Sequence, residues 1–357
     1  MKVGLSGTGR IGRLFLRRAF SQVGTLCDTV VINSTCSLPT LAHLLQYDTV
    51  HGKWDAEVLA DSDGLFINGR RVHVLAERDP GKIKWQHHGV QLVIDATGKF
   101  TDRASLGKHF QGGVRKVLLT APGKGLDLTV VMGVNEKAYD PARHHLLSAA
   151  SCTTNCLAPV LHVLDRAFVV EEGWMTTVHA YTNDQNHLDN PHKDLRRARA
   201  CTSSIIPTTS GVTSALADVL PHLASRLNGL SIRVPTPDVS LLDLQVSLGR
   251  TVQAAEIKEA FEAAVKDGMG TYLEYNELPL VSSDYIGNEK SAVIDGISLM
   301  VRNNQLKLLA WYDNEWAYAC RVFDLAQYIA KAEGRLQQEE EPSSSCRSTD
   351  FIIKNTS

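Results

Sequence analysis

Residues 2–20, KVGLSGTGRIGRLFLRRAF, pass from a short apolar run through three glycines into an amphipathic stretch. Gly7, Gly9 and Gly12 stand in the pattern G-x-G-x-x-G, with a predicted strand before them and a predicted helix after. That context gives the glycines a mechanism. The first makes a tight turn, the second lets backbone approach a ligand closely, and the third lets helix pack on strand. The helix start then presents free N–H groups to a pyrophosphate. The stretch therefore predicts a dinucleotide site.

Working outward, the first half alternates strand-like and helix-like segments, as βαβ units feeding a parallel sheet do. TVVINST (29–35), VQLVIDATG (90–98), RKVLLTAP (115–122) and LTVVMGVN (128–135) read as strands, and LFINGRRVHVLAE (65–77) as a hairpin turning at Asn68-Gly69. From about residue 169 the strands lengthen and alternate: VVEEGWMTTVHAYT, VSLLDLQVSLGR, SAVIDGISLMV and QLKLLAWYDNE, with AAEIKEAFEAAVKD as an amphipathic helix. The expected fold is α/β: an N-terminal doubly wound (Rossmann) dinucleotide-binding domain plus an α+β domain with a mostly antiparallel sheet. WAYACRVFDLAQYIAKAEG (316–334) has helical period and is expected to stop at Gly334. The acidic, serine-rich residues 337–357 are expected to be disordered.

Length and composition agree. A chain of 357 residues suits two domains of ~150 residues each. A formal charge of −2 offers no global field for nucleic acid or an anionic membrane, so anion binding must be local. No apolar run is long enough to span a bilayer and no secretory signal opens the chain, which predicts a cytoplasmic protein. The seven cysteines are odd in number and scattered, and read as reduced thiols.

A binder of NAD commonly ends its second strand in Asp or Glu, which takes the ribose hydroxyls. Here the chain reads INSTCS, with Ser34 and Thr35. Neither repels a 2′-phosphate and both hydroxyls can bond to one, so the sequence leans toward NADP, with NAD as the alternative.

AASCTTNCLAP (149–159) sets Cys152 and Cys156 four apart. A metal site would need two more ligands, and no partner pair occurs, so no metal is expected. If a helix starts near Ser151, Cys152 lies in its first turn, where dipole and free N–H groups favour a thiolate. Cys156 falls one turn deeper on the apolar side. His179, at the end of GWMTTVHAYTND, is a candidate base, and a satisfied core histidine is the competing reading. Thr182, HKDLRRAR (192–199), PTTSG (207–211) and Arg233 form a series of residues suited to anions.

SGTGRIGR, ATGKF, SCTTNCLAP, VHAYTNDQ, HKDLRRARA, IIPTTSG, RVPTP and WYDNEW together resemble phosphorylating glyceraldehyde-3-phosphate dehydrogenase, over about residues 1–335. The resemblance implies a homotetramer. It divides the chain into a dinucleotide-binding domain (1–151 with 316–336) and a catalytic domain (152–315). It makes Cys152 the nucleophile and His179 its base. Thr182 and Arg233 would hold the substrate phosphate, and Ser151, Thr153, Arg197, Ser210 and Gly211 the inorganic phosphate. Besides the glycine turn, Arg10, Ile11, Arg78, Thr97, Thr120, Asn183 and Asn314 fall at cofactor positions. The family commonly has Asn and Phe where this chain has Ser6 and Thr8. Ser34-Thr35 and Asn190 resemble the NADP-preferring members, which are often assigned to the gluconeogenic direction. Two rivals stay open: erythrose-4-phosphate dehydrogenase, which shares the cysteine block, and a nucleotide- or RNA-binding protein without catalysis.

Overall fold

In a computed structural model, residues 1–340 are described, the side chains of 212–214 and 337–340 aside. The expectation for the tail beyond 340, Cys346 included, lies outside the described residues. Nine strands form the first sheet: β1 Lys2–Ser6, β2 Asp28–Asn33, β3 Val58–Ala60, β4 Gly64–Ile67, β5 Arg70–Leu75, β6 Leu92–Asp95, β7 Lys116–Leu119, β8 Leu128–Thr129 and β9 Leu146–Ser148. Their order is β3-β4-β5-β2-β1-β6-β7-β9-β8, parallel from β5 to β8. The order reverses between β1 and β6. In a doubly wound sheet, ligands bind beyond the strand ends at that switch point.

Helices α1 (Arg10–Ser21), α2 (Leu38–Gln46) and α3 (Arg103–Leu106) belong to this lobe. Helix α4 (Cys152–Phe168) leaves it. The second lobe adds α5 (Val212–Val219), α6 (Pro221–Ala224), α7 (Ala254–Lys266) and eight strands: β10 Val170–Ala180, β11 Ile206–Thr209, β12 Leu227–Val234, β13 Ser240–Leu248, β14 Leu273–Asn276, β15 Ala292–Asp295, β16 Met300–Arg302 and β17 Gln305–Tyr312. This sheet is mostly antiparallel, with parallel pairs only at β10/β12 and β14/β15. The last helix, α8 (Trp316–Glu340), returns to the first lobe, where Tyr318, Val322, Phe323 and Ile329 join the core beneath β1 and α1. Among the described residues no helix is long and apolar enough to cross a membrane.

Three segments depart from the sequence reading. LTVVMGVN is a strand only over Leu128–Thr129, because the chain turns at Val131–Asn135, where the Asn135 side chain accepts from the Val131 N–H and donates to the Thr129 carbonyl. SAVIDGISLMV is broken into β15 and β16 by a 3₁₀ turn at Gly296–Ser298, capped by Asp295. Helix α8 does not stop at Gly334 but runs on to Glu340, so 337–340 are helical rather than part of the tail. The residues after Gly334 are strong helix formers, and their summed propensity outweighs one glycine.

Candidate active site

The glycine turn is built as its spacing requires. Gly7 has φ +95, and a Cβ there would meet the Ala96–Thr97 peptide at 2.7 Å; a Cβ on Gly12 would fall 2.1 Å from the Gly7 carbonyl. A Cβ on Gly9 would meet nothing within 4 Å, so the space it keeps open is that of the crevice. Gly7, Gly9, Ser34, Thr35, Arg78 and Thr97 line a cavity of about 290 Å³ beyond β1, β2 and β6, together with Thr8 and Lys99. Arg10, Ile11 and Gly12 supply the first, unpaired N–H groups of α1. The Arg10 side chain turns away to pair with Asp48 and Glu315. The polar walls, the open glycine face and the helix start fit a dinucleotide.

Thr97 is set by Asp95, which the sequence did not single out. Its N–H and hydroxyl donate to Asp95 Oδ1 at 3.0 and 2.7 Å, and Thr120 donates to the Asp95 carbonyl at 3.1 Å. Asp95 is fully buried against His109 Nε2 at 3.0 Å. Trp85 Nε1, a donor only, reaches His109 Nδ1 at 3.2 Å, which leaves the imidazole hydrogen on Nε2, facing the carboxylate.

The second site begins where β9 turns into α4. Ala150 is held at φ +56, with its carbonyl accepting from Tyr318 at 2.8 Å and its N–H donating to Ser148 Oγ at 2.9 Å. That turn delivers Ser151 as the cap of α4, its hydroxyl accepting from Thr154 N at 3.1 Å, and places Cys152 in the first turn. Cys152 packs against the cores of both lobes, so it stands at their junction. Cys156 is fully buried, and burial pushes its thiol well above the ordinary value.

His179 Nε2 lies 3.5 Å from Cys152 Sγ. Its Nδ1 has its shortest contact, 2.7 Å, with the Ala180 carbonyl; a hydrogen on Nδ1 serves that oxygen and turns the Nε2 lone pair to the thiol. Burial, and then the charge of Arg233, push the imidazole down to about 3. Arg233 Nη1 approaches Nδ1 at 3.1 Å and donates to Ala180 O at 3.2 Å and Thr182 Oγ1 at 3.4 Å.

Burial pushes the Cys152 thiol up, against the lowering pull of the Arg233 charge and the Thr153 hydrogen bonds.

Around it Ser151, Thr153, Arg197, Ser210, Gly211 and Arg233 line a pocket of about 140 Å³. Thr182 joins through Arg233. Arg197 Nε donates to Thr208 Oγ1 at 3.0 Å, and its guanidinium also pairs with Asp184. Arg233 Nε and Ser231 Oγ are buried with no hydrogen-bond partner. Orphaned donors lining a cationic pocket fit an absent anion. Tyr312, also missed in the sequence, bonds Thr153 Oγ1 at 3.1 Å and Thr177 Oγ1 at 2.7 Å, tying α4 to β10 and β17. Asn314 Oδ1 accepts from Ser240 Oγ at 2.7 Å, and Ser240 Oγ in turn accepts from the Ala180 N–H. Asn183 is exposed in the turn after β10. Among the described residues, His and acidic side chains converge closely enough for a metal only at His51, Asp238 and Glu315, where Arg10 already pairs with Glu315.

A dinucleotide crevice meeting a thiol, an imidazole and a cationic pocket defines a nicotinamide-dinucleotide dehydrogenase for an anionic substrate. Comparison with known proteins narrows the class. Residues 1–103 match the family described as glyceraldehyde 3-phosphate dehydrogenase, NAD binding domain, and residues 151–314 match its C-terminal domain. The chain is 54% identical over 331 residues to a glyceraldehyde-3-phosphate dehydrogenase 2 of Bacillus subtilis, covering 92% of this chain and 97% of that one. It is 50% identical to a glyceraldehyde-3-phosphate dehydrogenase of Geobacillus stearothermophilus, over 92% and 98% of the two chains. The chain belongs to the glyceraldehyde-3-phosphate dehydrogenase family.

Proposed function

We propose that the protein is the phosphorylating enzyme, interconverting D-glyceraldehyde 3-phosphate and 1,3-bisphosphoglycerate through a thioester on Cys152, with NADP preferred over NAD. The observation that carries this reading is the 3.5 Å contact of Cys152 Sγ with His179 Nε2, beside a pocket in which the buried Arg233 Nε and Ser231 Oγ have no hydrogen-bond partner. Attack of sulfur on the aldehyde carbon forms the C–S bond as the thiol proton passes to Nε2. The new oxyanion lies within reach of the Cys152 backbone N–H, unpaired at the start of α4. When bound, the nicotinamide supplies the acceptor for the hydride that leaves this carbon. Inorganic phosphate held by Ser151, Thr153, Arg197, Ser210 and Gly211 then attacks the thioester, and the sulfur departs to reclaim its proton.

A neutral imidazole depressed to about 3 is a weak base while Arg233 stands beside it unneutralised. Binding of the substrate phosphate to Arg233 and Thr182 offsets that charge and raises the basicity of His179 when substrate is present. The hydroxyls of Thr182 and Ser210, one at each phosphate site, favour the triose phosphate over erythrose 4-phosphate. The exposed Trp174 on β10 and Leu230 on β12 suit burial between subunits of a homotetramer in the cytoplasm.

The test is Cys152→Ser. Turnover should fall more than about 1,000-fold, with NADP still bound by calorimetry and no acyl adduct by mass spectrometry. Appreciable residual oxidation would overturn the thioester route, and a tenfold better kcat/KM of the wild type with NAD would overturn the cofactor preference.

A further inference from the structure

The cavity over the glycine turn holds two side chains that no step above uses, Thr8 and Lys99. Thr8 sits between Gly7 and Gly9, and Arg13 Nη1 fixes its carbonyl at 2.9 Å. Its hydroxyl lies 2.6 Å from Ser34 Oγ, and Ser34 Oγ accepts from Cys36 N–H at 3.2 Å. Hydrogen counting then decides what the pair offers. Two hydroxyls carry two hydrogens; one lies between them, and Cys36 occupies an acceptor site on Ser34. One O–H is left to donate outward into the crevice, from Thr8 if Ser34 donates to it, from Ser34 in the reverse case. Ser34 directly follows β2, the position from which a doubly wound fold contacts the far corner of the adenosine ribose.

Charge at this corner is also arranged. Arg78 and Lys99 line the cavity and form no ion pair among the described residues, while the one acid in the wall, Glu77, accepts from the N–H groups of Arg78 and Asp79 at 2.7 and 3.0 Å. Two unpaired cations against one backbone-tethered carboxylate leave a net positive corner.

Resting on the NADP reading above, we propose that Thr8 and Lys99 are specificity-determining residues, Thr8 completing with Ser34 a hydroxyl pair that donates to the 2′-phosphate and Lys99 supplying charge to it. A phenylalanine in place of Thr8 would remove that partner and leave Ser34 bound to the backbone alone. A hydroxyl donor is short-ranged and weakly affected by salt, whereas an exposed ammonium is screened.

The experiment titrates adenosine 2′,5′-bisphosphate and 5′-AMP into the full-length protein by calorimetry, in parallel with kcat/KM for NADP and NAD. The wild type should bind the bisphosphate more tightly. Thr8→Val should lower the affinity ratio about tenfold, Thr8→Ser should restore it, and Lys99→Met should lower it about fivefold at low salt and little at 0.5 M salt. A wild type that does not distinguish the two nucleotides overturns the NADP reading and this inference with it. A wild type that prefers the bisphosphate, with ratios unchanged in Thr8→Val and Lys99→Met, overturns this inference alone.

Discussion

The crevice over the glycine turn and the pocket beside Ser151 and His179 both suit anions, yet they are made in opposite ways. The adenosine crevice is assembled from one turn and the ends of adjacent strands: Gly7 to Gly9, Ser34 and Thr35, Thr97. It offers backbone N–H groups, hydroxyls and open space. The pocket beside the thiol gathers side chains from the cap of α4, the end of β10, the loop carrying Arg197, the end of β11 and the end of β12. It depends on charge, held largely in the half-buried Arg233. A site built from backbone and hydroxyls is adjusted by single substitutions; a site built around one partly desolvated cation fails without it.

Arg233→Ala tests the second half of that contrast and should have the largest effect. Loss of the charge-assisted bonds to substrate should lower kcat/KM by about 100-fold or more. The same change removes a cation beside His179, so the imidazole should titrate above its present value of about 3 while burial still holds it below the ordinary histidine range. NMR titration of the imidazole reads this directly. Lost activity with an unmoved imidazole would limit Arg233 to contact with substrate.

Ser34→Asp tests the first half. A carboxylate at the end of β2 would face any 2′-phosphate and accept from the ribose hydroxyls of NAD. The ratio of kcat/KM for NADP over NAD should fall more than about tenfold, with the fold intact. A ratio that stays put would show the crevice reading the cofactor from elsewhere.

The same contrast explains what was legible in the sequence. The glycine turn was readable because its parts fall within six residues and each does one local job. The cysteine block was readable as a helix start, since Ser151 caps within three residues. The packing of Cys152 against both lobes was not, because the second lobe reaches it through residues far along the chain. Nor were the supports legible: Tyr312 reaches Thr153 across 159 positions, and Asn314 reaches Ser240 across 74. His109, a buried histidine without local signal, orders Asp95 and through it Thr97. Long-range bonds of this kind follow from sheet order, which no single segment encodes.

Neither crevice explains the seam between the lobes, and it yields the smallest effect. Asp238, 1% exposed, points at His51 Nε2 across 3.5 Å, with no hydrogen-bond partner on either oxygen. Burial, and then the charges of Asp313 and Glu315, push its carboxyl up to about 9. The folded protein therefore keeps a proton that the unfolded chain releases near the ordinary aspartate value. Stability from this group is whole below about pH 4 and is lost as pH rises toward about 9, at no more than about 1.4 kcal/mol per pH unit. Asp238→Asn, which mimics the protonated form, should flatten the fall in Tm between pH 7 and pH 9 while leaving both crevices intact. Parallel Tm curves for the two proteins would mean that Asp238 is ionised in the fold and held by His51, making the seam a salt bridge rather than a proton store.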